Sequence, residues 1–150
     1  MTNTDEVIDV LEQLIETCRD GENGYRQAAE HAKDPELASF FRTQSSQRAT
    51  FARELEAEAQ RLGKSEPKDS GSVSGAVHRA WIDVKEKLGG GDTTILESVE
   101  QGEDNAKKNY EEALTKDLPE NLSGLIRRQA QAVFSAHDRA RTLRDARKAA

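Results

Sequence analysis

The chain has 150 residues, of which 28 are acidic and 22 basic, and one cysteine. That length sets a single domain, 1–150, as the expectation. The near balance of charge argues against nucleic acid as the main partner, and one cysteine excludes an internal disulfide or a thiolate zinc knuckle. Val, Ile, Leu and Phe supply 28 residues and alanine another 19, an alanine- and charge-rich composition that favours helices over strands.

The first element is read as a helix over about residues 4–33. Thr4-Asp5-Glu6 offers a capping residue and two acids for the first turn, and the apolar row Leu11, Ile15, Cys18, Tyr25, Ala29 keeps a three–four spacing. Asp34-Pro35 ends it, because the residue before proline is pushed out of the helical region, and Pro35 suits the first position of the next helix. That second helix, about 36–62, carries Leu37, Phe40, Phe41, Phe51, Leu55, Ala59 and Leu62 and stops at Gly63. A crossover follows over 64–91. It opens as a Ser-, Gly- and Lys-rich loop and contains a short helix at about 74–88 with Val77, Trp81 and Leu88. The third helix, about 93–115, has the row Leu96, Val99, Ala106, Tyr110, Ala113. The fourth, about 120–147, has Leu122, Ile126, Val133, Ala136, Ala140, Leu143 and a basic end.

Short turns near Pro35 and Pro119 make two antiparallel hairpins, and the stretch between them is long enough to span a helix. The expected fold is all-α: a ferritin-like four-helix bundle of two hairpins joined by one long crossover. An internal repeat supports this. A shift of 81 lays Leu14, Ile15, Cys18 and Glu22 on Ile95, Leu96, Val99 and Glu103. A shift of 85 lays Leu37, Phe40, Phe41 and Gln44 on Leu122, Leu125, Ile126 and Gln129.

Asp20-Gly21-Glu22-Asn23-Gly24-Tyr25, Pro35-Glu36-Leu37, Gln47-Arg48-Ala49-Thr50-Phe51, His78-Arg79-Ala80-Trp81, Glu100-Gln101-Gly102-Glu103-Asp104 and His137-Asp138 succeed one another along nearly the whole chain. In their order and spacing the chain resembles the ferritin-like superfamily, and within it a family of small bacterial four-helix-bundle proteins of uncharacterised function neighbouring the rubrerythrins. The resemblance implies the fold. Relatives of that fold bind di-iron and react with oxygen or peroxide, but fold does not fix function.

Two acids interrupt apolar rows. Glu22 falls between Cys18 and Tyr25, and Glu103 between Val99 and Ala106, so both are expected to face the interior, where a carboxylate needs a cation, a metal, a proton or donors. A di-iron bundle would add a Glu-x-x-His from each of the other two helices. The matching levels hold Gln44, Gln47 and Arg48 on the second helix and Gln129 and Val133 on the fourth. The expectation is therefore a buried polar layer of Glu22, Gln44, Gln47, Arg48, Glu103 and Gln129. In it Arg48 pairs with Glu22, while Gln129, Tyr110 or Arg127 serves Glu103. No catalytic residue, metal or cofactor is expected. The alternative is an iron or manganese site on Glu22, Glu103 and His137, with oxidoreductase chemistry.

His31 reads as solvated, His78 as packing the crossover helix onto the bundle, and Cys18 as a small core residue. A third reading is a ligand pocket under the Trp81 helix. Residues 1–34 carry nine acids and three bases, and residues 119–150 three acids and seven bases. These faces could pair within the chain or between copies, so a homodimer or another protein partner is the expected association. No apolar run approaches the roughly 20 residues of a membrane span, so no membrane partner is expected. The acidic start lacks the apolar core of a signal peptide, which points to the cytoplasm. The functional expectation is a non-enzymatic structural, stress-related or protein-interaction bundle.

Overall fold

The computed structural model describes residues 3–63 and 91–149. Four long helices make up this part: α1 (Thr4–His31), α2 (Pro35–Arg61), α3 (Asp92–Leu114) and α4 (Glu120–Ala149). The short helix expected at 74–88, with His78 and Trp81, lies outside the described residues, as does any pocket beneath it.

Each end has a local cause. Asn3, one residue before the expected cap, accepts from the Glu6 backbone N–H at 2.9 Å to start α1. Asp34 accepts from the Glu36 N–H and Pro35 opens α2. Beyond α2 the chain turns at Gly63, whose φ of 105° is one that L side chains rarely adopt. Gly91, at φ 91°, precedes α3 without a side-chain cap. Asp92, the first residue of α3, points back toward the end of α1, and its carboxylate accepts from the Lys33 and Asp34 backbone N–H groups at 2.8 and 2.9 Å. One carboxylate thus ties the start of α3 to the α1–α2 turn.

α1 packs against α2 most extensively, α3 against α4 next, then α1 against α3, whereas α2 and α4 scarcely touch. The order around the bundle is therefore α2, α1, α3, α4. Neighbours run antiparallel, since Asp92 meets Lys33 while Tyr110 meets Cys18, and Arg147 meets Asp34 while Gln129 meets Phe51. It follows that α2 and α3 point the same way, so the last residue of α2 and the first of α3 lie at opposite ends of the bundle. The molecule is a four-helix bundle of two hairpins. The acidic first helix and basic fourth helix are not neighbours, contrary to one expectation from charge. The bases of α4 meet acids of α3 and of the first turn instead: Arg144 pairs with Glu100, Lys148 with Glu97 and Arg147 with Asp34.

The apolar core falls into two clusters. One, around Leu11, Ile15, Phe51, Leu55, Ile126 and Val133, fills the end where α1 begins. The other, around Tyr25, Leu37, Phe41, Ile95, Leu96 and Val99, fills the end where α1 stops. Burying each large side chain contributes about 1.5–3 kcal/mol. Among the described residues no helix is long and apolar enough to cross a membrane.

Candidate functional site

Arg48 follows Phe41 and Gln44 and precedes Phe51 and Leu55 on the inward stripe of α2, so its side chain has nowhere to go but between the two clusters. There it meets Glu103 of α3, the helix diagonally opposite. Nη1 donates to Oε1 at 2.6 Å and Nη2 to Oε2 at 2.5 Å. The exposures are 1% and 0%. This is the two-pronged guanidinium–carboxylate geometry that gives the strongest charge-assisted hydrogen bonds. Burial opposes the charge on the guanidinium, but the attraction and hydrogen bonds of Glu103 outweigh it and hold its pKa above the ordinary arginine value.

Two neighbours shape this seat. The Tyr25 ring lies 5.4 Å from the guanidinium carbon, a cation–π contact. Burial, reinforced by the Glu103 charge, pushes the Tyr25 hydroxyl well above its usual pKa. Gly21 supplies room: a Cβ there would stand 3.2 Å from Arg48 Nη1. A glycine inside a helix costs about 0.5–1 kcal/mol relative to alanine, and here it clears space for the cation.

A second buried network runs beside the first. Tyr110 donates its hydroxyl hydrogen to Gln129 Oε1 at 2.8 Å. Cys18 Sγ lies 3.1 Å from the same hydroxyl oxygen. Because that hydrogen is committed to Gln129, the thiol is the donor toward tyrosine. Gln129 Nε2 in turn donates to the Phe51 carbonyl at 3.3 Å and to Glu54 at 2.9 Å. Burial pushes the Cys18 thiol up to about 11. Burial, then the neighbouring Cys18, likewise raises Tyr110 well above the ordinary phenol value. A thiol held protonated in this way is a poor nucleophile and a poor metal ligand.

The six residues expected to form one polar layer separate into different settings. Arg48 and Glu103 face each other, and Gln129 belongs to the Tyr110 network. Glu22 does not pair with Arg48. It is 29% exposed and meets Arg19 Nη1 at 2.9 Å, while Arg19 also reaches Glu56 at 3.0 Å. The physical reason is saturation: one guanidinium fork engages one carboxylate, and a second carboxylate left buried without a cation is costly. Gln44 and Gln47 are half-buried between α2 and α4, and Gln44 Oε1 has no hydrogen-bond partner. Of the partners expected for Glu103, Arg127 is exposed, and Tyr110 and Gln129 bond to each other.

His137 is 4% exposed and bridges α4 to α3. Its Nε2 lies 2.5 Å from Asp104 and its Nδ1 3.1 Å from Asp138. Asp138 is held below the usual carboxylate range, chiefly by that hydrogen bond. His31 is exposed and contacts the Gln27 carbonyl. Among the described residues no three His, Cys, Asp or Glu side chains converge to hold a metal ion.

A family model described as a domain of unknown function (DUF2383) matches residues 6–116, about three quarters of the chain. The chain belongs to that family. The matched span runs from α1 through α3 and so includes both Arg48 and Glu103. No curated protein matches the chain.

Proposed function

We propose that this protein is a non-enzymatic helical bundle of ferritin-like type, acting through protein association or as a stress-related structural component, with no metal in its native state. A single observation carries the reading. The guanidinium of Arg48 lies within hydrogen-bond distance of both Glu103 oxygens at the centre of the bundle, where a di-iron relative of this fold would use carboxylates on iron. A fixed positive charge there repels a divalent cation, and it engages the very oxygens such a cation would need. The remaining donors fit no better. Glu22 is engaged by Arg19, both His137 nitrogens face aspartates, and the second and fourth helices offer amides at the ligand level. The two-hairpin topology supports the ferritin-like assignment, and the resemblance to small bacterial bundles beside the rubrerythrins agrees with a cytoplasmic setting.

Metal analysis tests this reading. Protein purified without chelator from cells supplied with iron and manganese is expected to carry neither in stoichiometric amount. One or two equivalents of either metal per chain, lost on Glu103→Gln, would overturn it in favour of an oxidoreductase site around Glu22, Glu103 and His137.

A further inference from the structure

Helices α2 and α4 leave a seam that their own packing does not close. Two hollows of about 270 and 380 Å³, both open to solvent, lie along it and share Phe40 and Arg139. They adjoin at these two residues along the groove between α2 and α4. Its floor is apolar (Leu37, Phe40, Ala132, Ala136, Leu143). Its polar groups are undersupplied. Among the described residues Arg139 and Glu36 line the groove without an ion-pair or side-chain hydrogen-bond partner, and Gln44 Oε1 is buried without a donor.

We propose that this groove is the face through which two copies of the chain pair about a two-fold axis, a proposal that rests on the protein-association reading above and names its partner. Two-fold pairing requires a self-complementary surface, in which each residue meets its opposite number in exchange. A cation and an anion standing unpaired in one groove meet that requirement, since Glu36 of one copy can meet the partner's Arg139 and the reverse. Net charge favours the same side. α1 and α3 together carry 15 acids and four bases, whereas α2 and α4 carry seven and 11. Pairing through α1 and α3 would press two strongly negative surfaces together. Pairing through α2 and α4 sends them to opposite poles of the dimer, where salt screens their repulsion. Size is adequate. α2 is about 40 Å long, and two adjacent helices about 20 Å across present roughly 800 Å², the share a stable interface takes from each partner.

Light scattering and sedimentation equilibrium on the full chain provide the test. Wild-type protein is expected at twice the 16.6 kDa chain mass. Arg139→Glu and Glu36→Arg should each weaken association about tenfold or more, because each sets like charges in contact across the two-fold. The double variant, Glu36→Arg with Arg139→Glu, should restore it. Both side chains are exposed, so circular dichroism should show the fold intact in all three. A monomeric wild type, single variants that associate normally, or a double variant that fails to recover would each overturn the proposal. Metal content measured on the same samples separates the two readings: a metal-loaded dimer sinks the non-enzymatic assignment alone, and a metal-free monomer sinks the groove alone.

Discussion

The two hairpins match closely in their apolar residues and differ where charge enters. Leu14, Ile15, Leu37 and Phe41 correspond to Ile95, Leu96, Leu122 and Ile126, and all eight are buried. Glycines 21 and 102 correspond too, and both are buried. Arg48, however, corresponds to Val133, so the second hairpin has an inward acid and no arginine at the matching level. Across the diagonal its acid, Glu103, takes the arginine of the first hairpin, and Glu22 goes to the surface with Arg19. A symmetric bundle would have had to bury two acids and two bases. One buried pair between the two apolar clusters meets the same geometric need with half the desolvation, and its single register fixes how the hairpins lie against each other.

Removing the arginine breaks this asymmetry most severely. Arg48→Met should destabilise the fold by about 3–5 kcal/mol, because Glu103 is left charged and fully buried. Adding Glu103→Leu to the same chain should recover most of that loss. Glu22→Gln should cost less than about 1 kcal/mol, as expected for a half-exposed pair. Urea unfolding followed by circular dichroism measures all three. An Arg48→Met protein with an unchanged midpoint would remove the pair from any structural role.

The helices were legible because each end has a chemical mark: Asp34-Pro35, Gly63 and the turn before Pro119. Row spacing likewise placed Leu11, Ile15, Cys18 and Tyr25 inside. What spacing could not do was rank two acids that interrupt equivalent rows. Glu22 and Glu103 have the same local pattern, and their fates depend on which helix lies diagonally across from α2. The same limit explains Asp92, which has the composition of an N-cap but spends its carboxylate on the α1–α2 turn. It also explains Tyr110, whose row position marks it as buried without revealing that its hydroxyl joins Cys18 to Gln129. The glycine of Gly21-Glu22 was visible as a motif, yet its reason, the 3.2 Å approach of Arg48, exists only in three dimensions.

The corresponding glutamines sharpen the comparison at a smaller scale. Gln129 spends its side-chain oxygen on Tyr110 and its nitrogen on the Phe51 carbonyl and Glu54. Gln44, its counterpart under the repeat, leaves its oxygen buried and unmatched. Gln129→Leu should cost about 1–3 kcal/mol, since it strands the buried Tyr110 hydroxyl hydrogen. Gln44→Leu should be close to neutral in a monomer. Equal losses at the two sites in thermal unfolding would show that Gln44 has found a donor, and the α2–α4 groove is where to look for it.

The smallest effect separates two helical glycines. At Gly124 an added Cβ would meet nothing within 4 Å, and Ser39 occupies the corresponding place in α2. Gly124→Ala should therefore raise stability by about 0.5–1 kcal/mol, the ordinary gain of alanine within a helix. Gly21→Ala has the same intrinsic gain, but its methyl would press on a guanidinium that both Glu103 oxygens hold in place. Arg48 cannot yield by a few tenths of an ångström without lengthening one of those bonds, so the gain should be cancelled or reversed. Parallel thermal melts read the difference directly. If Gly21→Ala were stabilised as much as Gly124→Ala, Arg48 would have to be free to move, and a rigid buried pair at the centre of the bundle would no longer describe this molecule.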